Sequence, residues 1–228
     1  MPLPLSGYRS RYDCSLKITS YLQLTTCFFN NVLVVDATSP YPQAAMGTKI
    51  YTRRGDAGQT DLARGRRVSK GSINIELLGQ LDELNAAIGL SRAAGVPPLV
   101  EDDIATIQDE LLWLGAKVAE ADGSTLDPIN EASVARLENQ IDAHEAMLSP
   151  LHSFVLPGGS TSGAQLHIAR CICRRAERTL HRLEKNSDMT EIAAYLNRLS
   201  DLLFVLARRT NALAGMPEPT WVGRKTTQ

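Results

Sequence analysis

The stretch Thr52-Arg-Arg-Gly-Asp-Ala-Gly-Gln-Thr60 packs two arginines, two glycines and two threonines into nine residues. Glycine lets successive backbone N–H groups turn toward a bound anion, and arginine sets charge against phosphate. The spacing is not the GxxxxGK[ST] of a Walker loop. A polar turn with its arginines in solvent is the plainer alternative.

A second constellation lies near residues 160–182. At 3.6 residues per turn, His167, Arg170, Arg174, Glu177, Arg178 and His181 fall within about one third of a helix circumference. Ala169, Ile172, Ala176, Leu180 and Leu183 take the opposite arc and are expected to face the core. A charged stripe is usually a solvated face, but this one is rich in arginine, whose planar fork suits phosphate or carboxylate. Further on, Asn197, Asp201, Phe204 and Arg208 share a face opposite Leu196, Leu199, Leu203 and Leu206, so two helices suggest a walled site. Asp82, Glu83 and Asn85 stand among leucines earlier in the chain, as solvated acids or as partners for an arginine stripe. No metal centre is expected: Glu177 and His181 are one residue too far apart for the Glu-x-x-His of a di-iron bundle. His144 and His152 read as isolated surface groups, and Ser153 and Ser160 lack a nucleophile elbow.

The elements that must position these groups read as five helices. The first, about 72–94, carries Ile73, Leu77, Leu81, Leu84 and Ile88 at helical spacing. Pro97-Pro98 breaks the chain, and a second helix runs to about Ala121. Asp127-Pro128 caps a third, ending near Leu148. The fourth follows Leu156-Pro-Gly-Gly159 and extends through Arg182. Asp188 and Glu191 form a capping-box pattern for the fifth, which stops at Gly215. Strand signals after residue 60 are weak. One-sided apolar stripes with short connections predict an all-α, up-and-down five-helix bundle.

Composition bounds the rest. The 228 residues, 43% of them hydrophobic, suit one domain with a real core. A formal net charge of −1 gives no basic excess for nucleic acid. No apolar run approaches the roughly 20 residues of a membrane span. Cys14, Cys27, Cys171 and Cys173 read as reduced thiols of a cytoplasmic protein. Residues 1–45 lack helical periodicity and hold only two acids, Asp13 and Asp36. They are a disordered extension, a weak presequence or sequence upstream of a start at Met46, and the working domain is placed at 46–228.

Together the motifs Lys49 to Thr60, Gly79-Gln-Leu-Asp-Glu-Leu-Asn85, Phe154-Val-Leu-Pro-Gly-Gly159, Leu166 to Arg178 and Tyr195 to Asp201 resemble the PduO-type ATP:cob(I)alamin adenosyltransferases. The resemblance covers about residues 47–222, in order. It implies a homotrimer with sites between subunits, and ATP, Mg²⁺ and cob(I)alamin as the small molecules handled. By the same resemblance Thr52, Arg53, Arg54, Gly55, Thr60, Asp61 and Lys70 line the ATP, mainly its triphosphate. Arg174, Arg175, Glu177, Arg178 and Asn197 complete the nucleotide site. Asp82 and Arg170 match positions that pair across the subunit boundary, and Phe154 matches the residue that closes the lower face of cobalt. The approach Gly71-Ser-Ile-Asn-Ile-Glu76 departs from the family's Asp-rich pattern next to Lys70. A reductase or a cobalamin-dependent mutase is an expected partner.

Overall fold

Apolar spacing decides the first helix. In the computed structural model, Leu77, Leu81, Leu84 and Ile88 are fully buried along one side of α1 (Ile73–Ala93), while Ile73 is only half-buried at its first turn. Each fully buried leucine contributes about 1.5–3 kcal/mol. The structure describes residues 51, 53–62, 66–120, 129–183 and 189–222. The chain divides into two units, 1–52 and 53–228. Of the first only Tyr51 is described, and all the described helices and strands belong to the second. Residues 1–45, Met46, Lys49, Thr52, the Asp127-Pro128 cap and Asp188 therefore lie outside the described residues.

After α1 come α2 (Pro98–Glu120), α3 (Glu131–Glu145), α4 (Thr161–Leu180) and α5 (Thr190–Leu213). Named contacts fix their directions. Arg92 of α1 pairs with Glu101 of α2, and Asn85 exchanges hydrogen bonds with Gln108, so these two run antiparallel. Ser91 donates to the Ser162 carbonyl at one end of α1 and Glu76 meets Arg182 at the other, so α4 returns antiparallel too. The Cys173 thiol donates to the Leu196 carbonyl and His167 meets Phe204, which sets α5 antiparallel to α4. The helical bundle is as expected.

Several local expectations are corrected. Strand is present after residue 60: β1 (Gln59–Asp61) pairs antiparallel with β2 (Arg67–Ser69) in the register Thr60↔Val68. Three-residue strands are too short to show a period of two, which hid them. α3 starts at Glu131, because the Asn130 side chain accepts from the N–H groups of Ala132 and Ser133 while Ser133 returns a bond to Asn130. α5 begins after Met189 with no side-chain cap bond. His144 is no isolated surface group; its Nε2 lies 2.7 Å from Asp103 Oδ2, tying α3 to α2. His167 and Arg208, read on polar faces, are each only 2% exposed. Both are drawn inward where α4 and α5 meet, since the Phe204 ring packs beside each of them. Ile172 and Leu183, placed on the core side, are only half-buried.

Candidate functional site

The turn ahead of the hairpin is built as a cationic cradle. Arg53 sits at φ 59°, a left-handed conformation costly for a side chain, and Gly58 at φ 78°. The Gly58 N–H donates to the Gly55 carbonyl at 3.1 Å, and the Lys70 N–H closes onto the Gly58 carbonyl at 2.9 Å. Lys70 follows β2, so the hairpin folds it back over the turn: a Cβ on Gly55 would lie 2.9 Å from Lys70 Nζ. Glycine at 55 thus leaves the space the ammonium needs. Asp61 on β1 meets Arg54 at 3.0 Å and Arg67 at 3.4 Å. Arg67 also donates to the Arg54 carbonyl at 2.6 Å and to Gln59 at 2.8 Å. The Asp61 carboxylate therefore orients cations rather than facing an anion. Arg67 escaped the sequence reading; only the strand register brings it to the turn.

The arginine stripe of α4 divides between two directions. Arg175 turns to α1 and pairs with Glu83, and beyond the helix end Arg182 meets Glu76 at 2.7 Å. Arg170 and Arg174 turn instead toward α5 and line a groove of about 560 Å³. Its far wall is α3, with Glu138, Asp142 and Glu145, and its floor includes Asp201 and Phe204 of α5. Arg198 bridges Glu138 and Asp201, 3.0 Å from each. Arg198 and the α3 acids were not anticipated, because no spacing along α4 or α5 reports what α3 brings. Arg174 and Arg178 are exposed, with no ion partner among the described residues. Arg170 is half-buried, and its Nε is buried with no hydrogen-bond partner among them. Glu177 is half-buried beside them, Asn197 is exposed on α5, and Asp82 is exposed on α1.

Beneath Arg170, the His167 ring packs tilted against Phe204, their centroids 5.9 Å apart, and neither ring nitrogen has a partner among the described residues. Burial first, and the Arg170 charge second, lower the His167 pKa to about 4, so the imidazole is neutral near neutral pH. Burial pushes the Cys173 thiol up, leaving it an inert packing group.

Phe154 is 80% exposed, so its ring does not anchor the loop in the core. Its backbone is held instead. Trp221 N–H donates to the Phe154 carbonyl at 2.7 Å and Leu156 N–H to the Pro219 carbonyl at 2.8 Å, around the Val155↔Thr220 bridge. Gly158-Gly159 ends this loop against Asn211 of α5, whose side chain donates to the Gly158 carbonyl and accepts from Ser160 N–H, both at 2.9 Å.

The chain is thus a helical bundle with a cationic hairpin turn ahead of its first helix and exposed arginines on its fourth. The description "Cobalamin adenosyltransferase" matches residues 50–210, and the chain belongs to that family. It is 45% identical over 178 residues to a cobalamin adenosyltransferase of Cupriavidus metallidurans, covering 76% of this chain and 94% of that protein. A corrinoid adenosyltransferase of Bacillus subtilis is 44% identical over 174 residues, 74% of this chain and 89% of that one. Among solved structures, a variant PduO-type ATP:corrinoid adenosyltransferase from Lactobacillus reuteri, complexed with cobalamin and ATP, superposes with a TM-score of 0.71. The identity there is 28%, over 79% of this chain and 100% of that one.

Proposed function

We propose that the protein transfers the 5′-deoxyadenosyl group of ATP to the cobalt of cob(I)alamin, forming adenosylcobalamin and releasing triphosphate. The observation that carries this is that a bundle of this family carries both a cationic turn and an exposed aromatic ring at a loop tip. Cobalt(I) attacks the 5′ carbon with its electron pair, a cobalt–carbon bond forms, and the bond from that carbon to the triphosphate oxygen breaks. The leaving group carries the electrons away as charge, so no general base is needed.

The protein's part is alignment and charge. Arg53, Arg54, Gly55, Thr60 and Lys70, with Thr52 preceding them, surround the triphosphate, and Asp61 fixes Arg54 for that purpose. Arg174, Arg175, Glu177, Arg178 and Asn197 complete the nucleotide site; Arg175 reaches it by exchanging its Glu83 partner. Holding two substrates in line supplies roughly 7–11 kcal/mol in favourable cases, and preorganised cations stabilise the departing charge. The described residues contain no cluster of three His, Cys, Asp or Glu fit to hold a metal, and Asp61 is already committed to two guanidiniums. A Mg²⁺ ion arriving with ATP would add positive charge against the departing triphosphate, beside that of Arg54 and Lys70. Phe154 excludes a ligand from the lower face of cobalt, which favours the electron-rich cobalt(I) state.

A homotrimer with intersubunit sites, in which Asp82 meets a neighbour's Arg170, fits the exposure of Asp82 and of the apolar Leu90 and Ile168 on α1 and α4. A cytoplasmic setting agrees with the free thiols of Cys171 and Cys173, and no helix among the described residues is long and apolar enough to cross a membrane. A reductase supplying the electron and a mutase receiving the product are the expected protein partners. The deciding experiment incubates the protein with ATP, Mg²⁺ and chemically reduced cobalamin. Adenosylcobalamin and triphosphate should appear in equal amounts; ATP binding without either product would reject the reading.

A further inference from the structure

The exposed ring of Phe154 has little packing of its own to hold it, and its loop borders a cleft. A cleft of about 560 Å³, open on one side to solvent, lies between residues 147–155 and residues 208–220, lined among others by Leu151, Val155, Met216 and Thr220. A loop beside an open cleft has fewer packed neighbours to define its height. One side of the cleft is the short segment 218–221, which pairs with 154–156 through two backbone hydrogen bonds.

Glu218 fastens that segment to α5. Arg208 Nε lies 3.1 Å from both carboxylate oxygens of Glu218, and Arg208 Nη2 donates at 2.9 Å to the Ser149 carbonyl, where the loop leaves α3. Arg208 is 2% exposed, and its guanidinium carbon stands 5.9 Å from the Phe204 ring centroid. A buried ion pair is a poor device for bulk stability, since apolar residues of equal volume often serve as well. A planar fork, in contrast, can hold acceptors from two separate segments in fixed register. Arg208 does this for the start of the loop and the start of the segment that clamps its tip. Neither Arg208 nor Glu218 is among the residues assigned above to the nucleotide or the corrin.

We infer that Arg208 and Glu218 are positioning residues for Phe154, residues 218–221 forming a strap that sets the ring's height through this ion pair. The inference rests on the role proposed for Phe154. The test uses the full chain carrying Glu218→Ala, Glu218→Gln, Trp221→Pro or Phe154→Ala, and Glu218→Ala combined with Phe154→Ala. ATP affinity is measured without corrinoid. With ATP bound, the four-coordinate cobalt(II) spectrum is recorded, and transfer is timed from cobalt(II) and from pre-reduced cobalt(I).

Glu218→Ala should keep ATP affinity within about twofold. It should lose the four-coordinate signal and slow transfer from cobalt(II) by about ten- to a hundredfold, with partial recovery from cobalt(I). Glu218→Gln, which retains a hydrogen-bond acceptor, should fall between it and the unaltered protein. Trp221→Pro removes the donor to Phe154 without touching the ion pair, and should show the same corrinoid-specific loss even where Glu218→Ala fails to fold. In the Phe154→Ala background, Glu218→Ala should add nothing. The strap is overturned if Trp221→Pro or a folded Glu218→Ala keeps the full four-coordinate signal, if ATP affinity falls in step with transfer, or if the defects multiply in the double variant. Should Phe154→Ala itself keep that signal, the Phe154 assignment fails first; loss there with retention in Glu218→Ala sinks the strap alone.

Discussion

Arg174 and Arg182 are two guanidiniums eight positions apart with opposite surroundings. Arg174 is exposed at the groove with no ion partner among the described residues, whereas Arg182 is spent on an exposed pair with Glu76. Arg174→Ala should weaken ATP binding or slow transfer by about 1.5–3 kcal/mol, against within ~0.5 for Arg182→Ala. Equal kinetic effects would count against the assignment. His167 gives a test of a different kind. Its folded pKa, about 4, lies below the unfolded value of 6.5. Between those values the unfolded chain binds more protons, so acidification through that window destabilises the fold, and the loss levels off below the folded pKa. The charged neighbour responsible is Arg170, Phe204 being neutral. His167→Leu should lose less melting temperature between about pH 7 and pH 4.5 than the unaltered protein. Parallel curves would mean that His167 titrates normally. The helical period gave His167 its side of α4 from sequence, but not its depth, because depth is set by the ring of Phe204 on another helix.

The junction of α4 with α5 carries the element-scale test. Gly159 sits at φ 95°, and a Cβ there would fall into the Asn211 side chain; a Cβ on Gly163 would do the same. Asn211, 2% exposed, meanwhile holds the Gly158 carbonyl, Ser160 N–H and Ser160 hydroxyl. Gly159→Ala should cost about 1–3 kcal/mol, from left-handed strain together with overpacking. Urea unfolding measures it, and a change below about 0.5 kcal/mol would show that the loop yields instead. The Leu-Pro-Gly-Gly signal correctly marks the start of α4. What it cannot report is that Gly159 makes room for Asn211, far along the chain on α5. The same limit hid the hairpin: Arg67 acts only through its register opposite Asp61.

For the whole molecule, the informative pair is Asp82 and Arg170. Asp82 is exposed on α1, and Arg170 keeps a buried Nε without a partner among the described residues. In the proposed trimer they meet between subunits, so Asp82→Asn and Arg170→Ala should be non-additive, with a coupling of about 0.5–3 kcal/mol in transition-state stabilisation. A coupling of zero would show that they never meet. Deleting residues 1–45 should leave oligomer and activity essentially unchanged, since the assigned site starts later; loss of ATP affinity in the shortened chain would refute the boundary at Met46.

Sequence alone determined the order of the described helices and many of their core positions, Leu77, Leu81, Leu84 and Ile88 among them. These follow from local periodicity and turn residues, which a chain carries wherever it is read. It also set out which residue types could meet phosphate, because arginine, lysine and glycine chemistry does not wait for a fold. Tertiary structure decided which arginines are engaged by acids: Arg175 and Arg182 meet α1 carboxylates, while Arg174 faces a groove whose far wall belongs to α3. It likewise decided that Phe154 points outward and that Arg208 points in. Burial and charge pairing belong to contacts between distant segments, and no spacing within one segment encodes which partner another will bring.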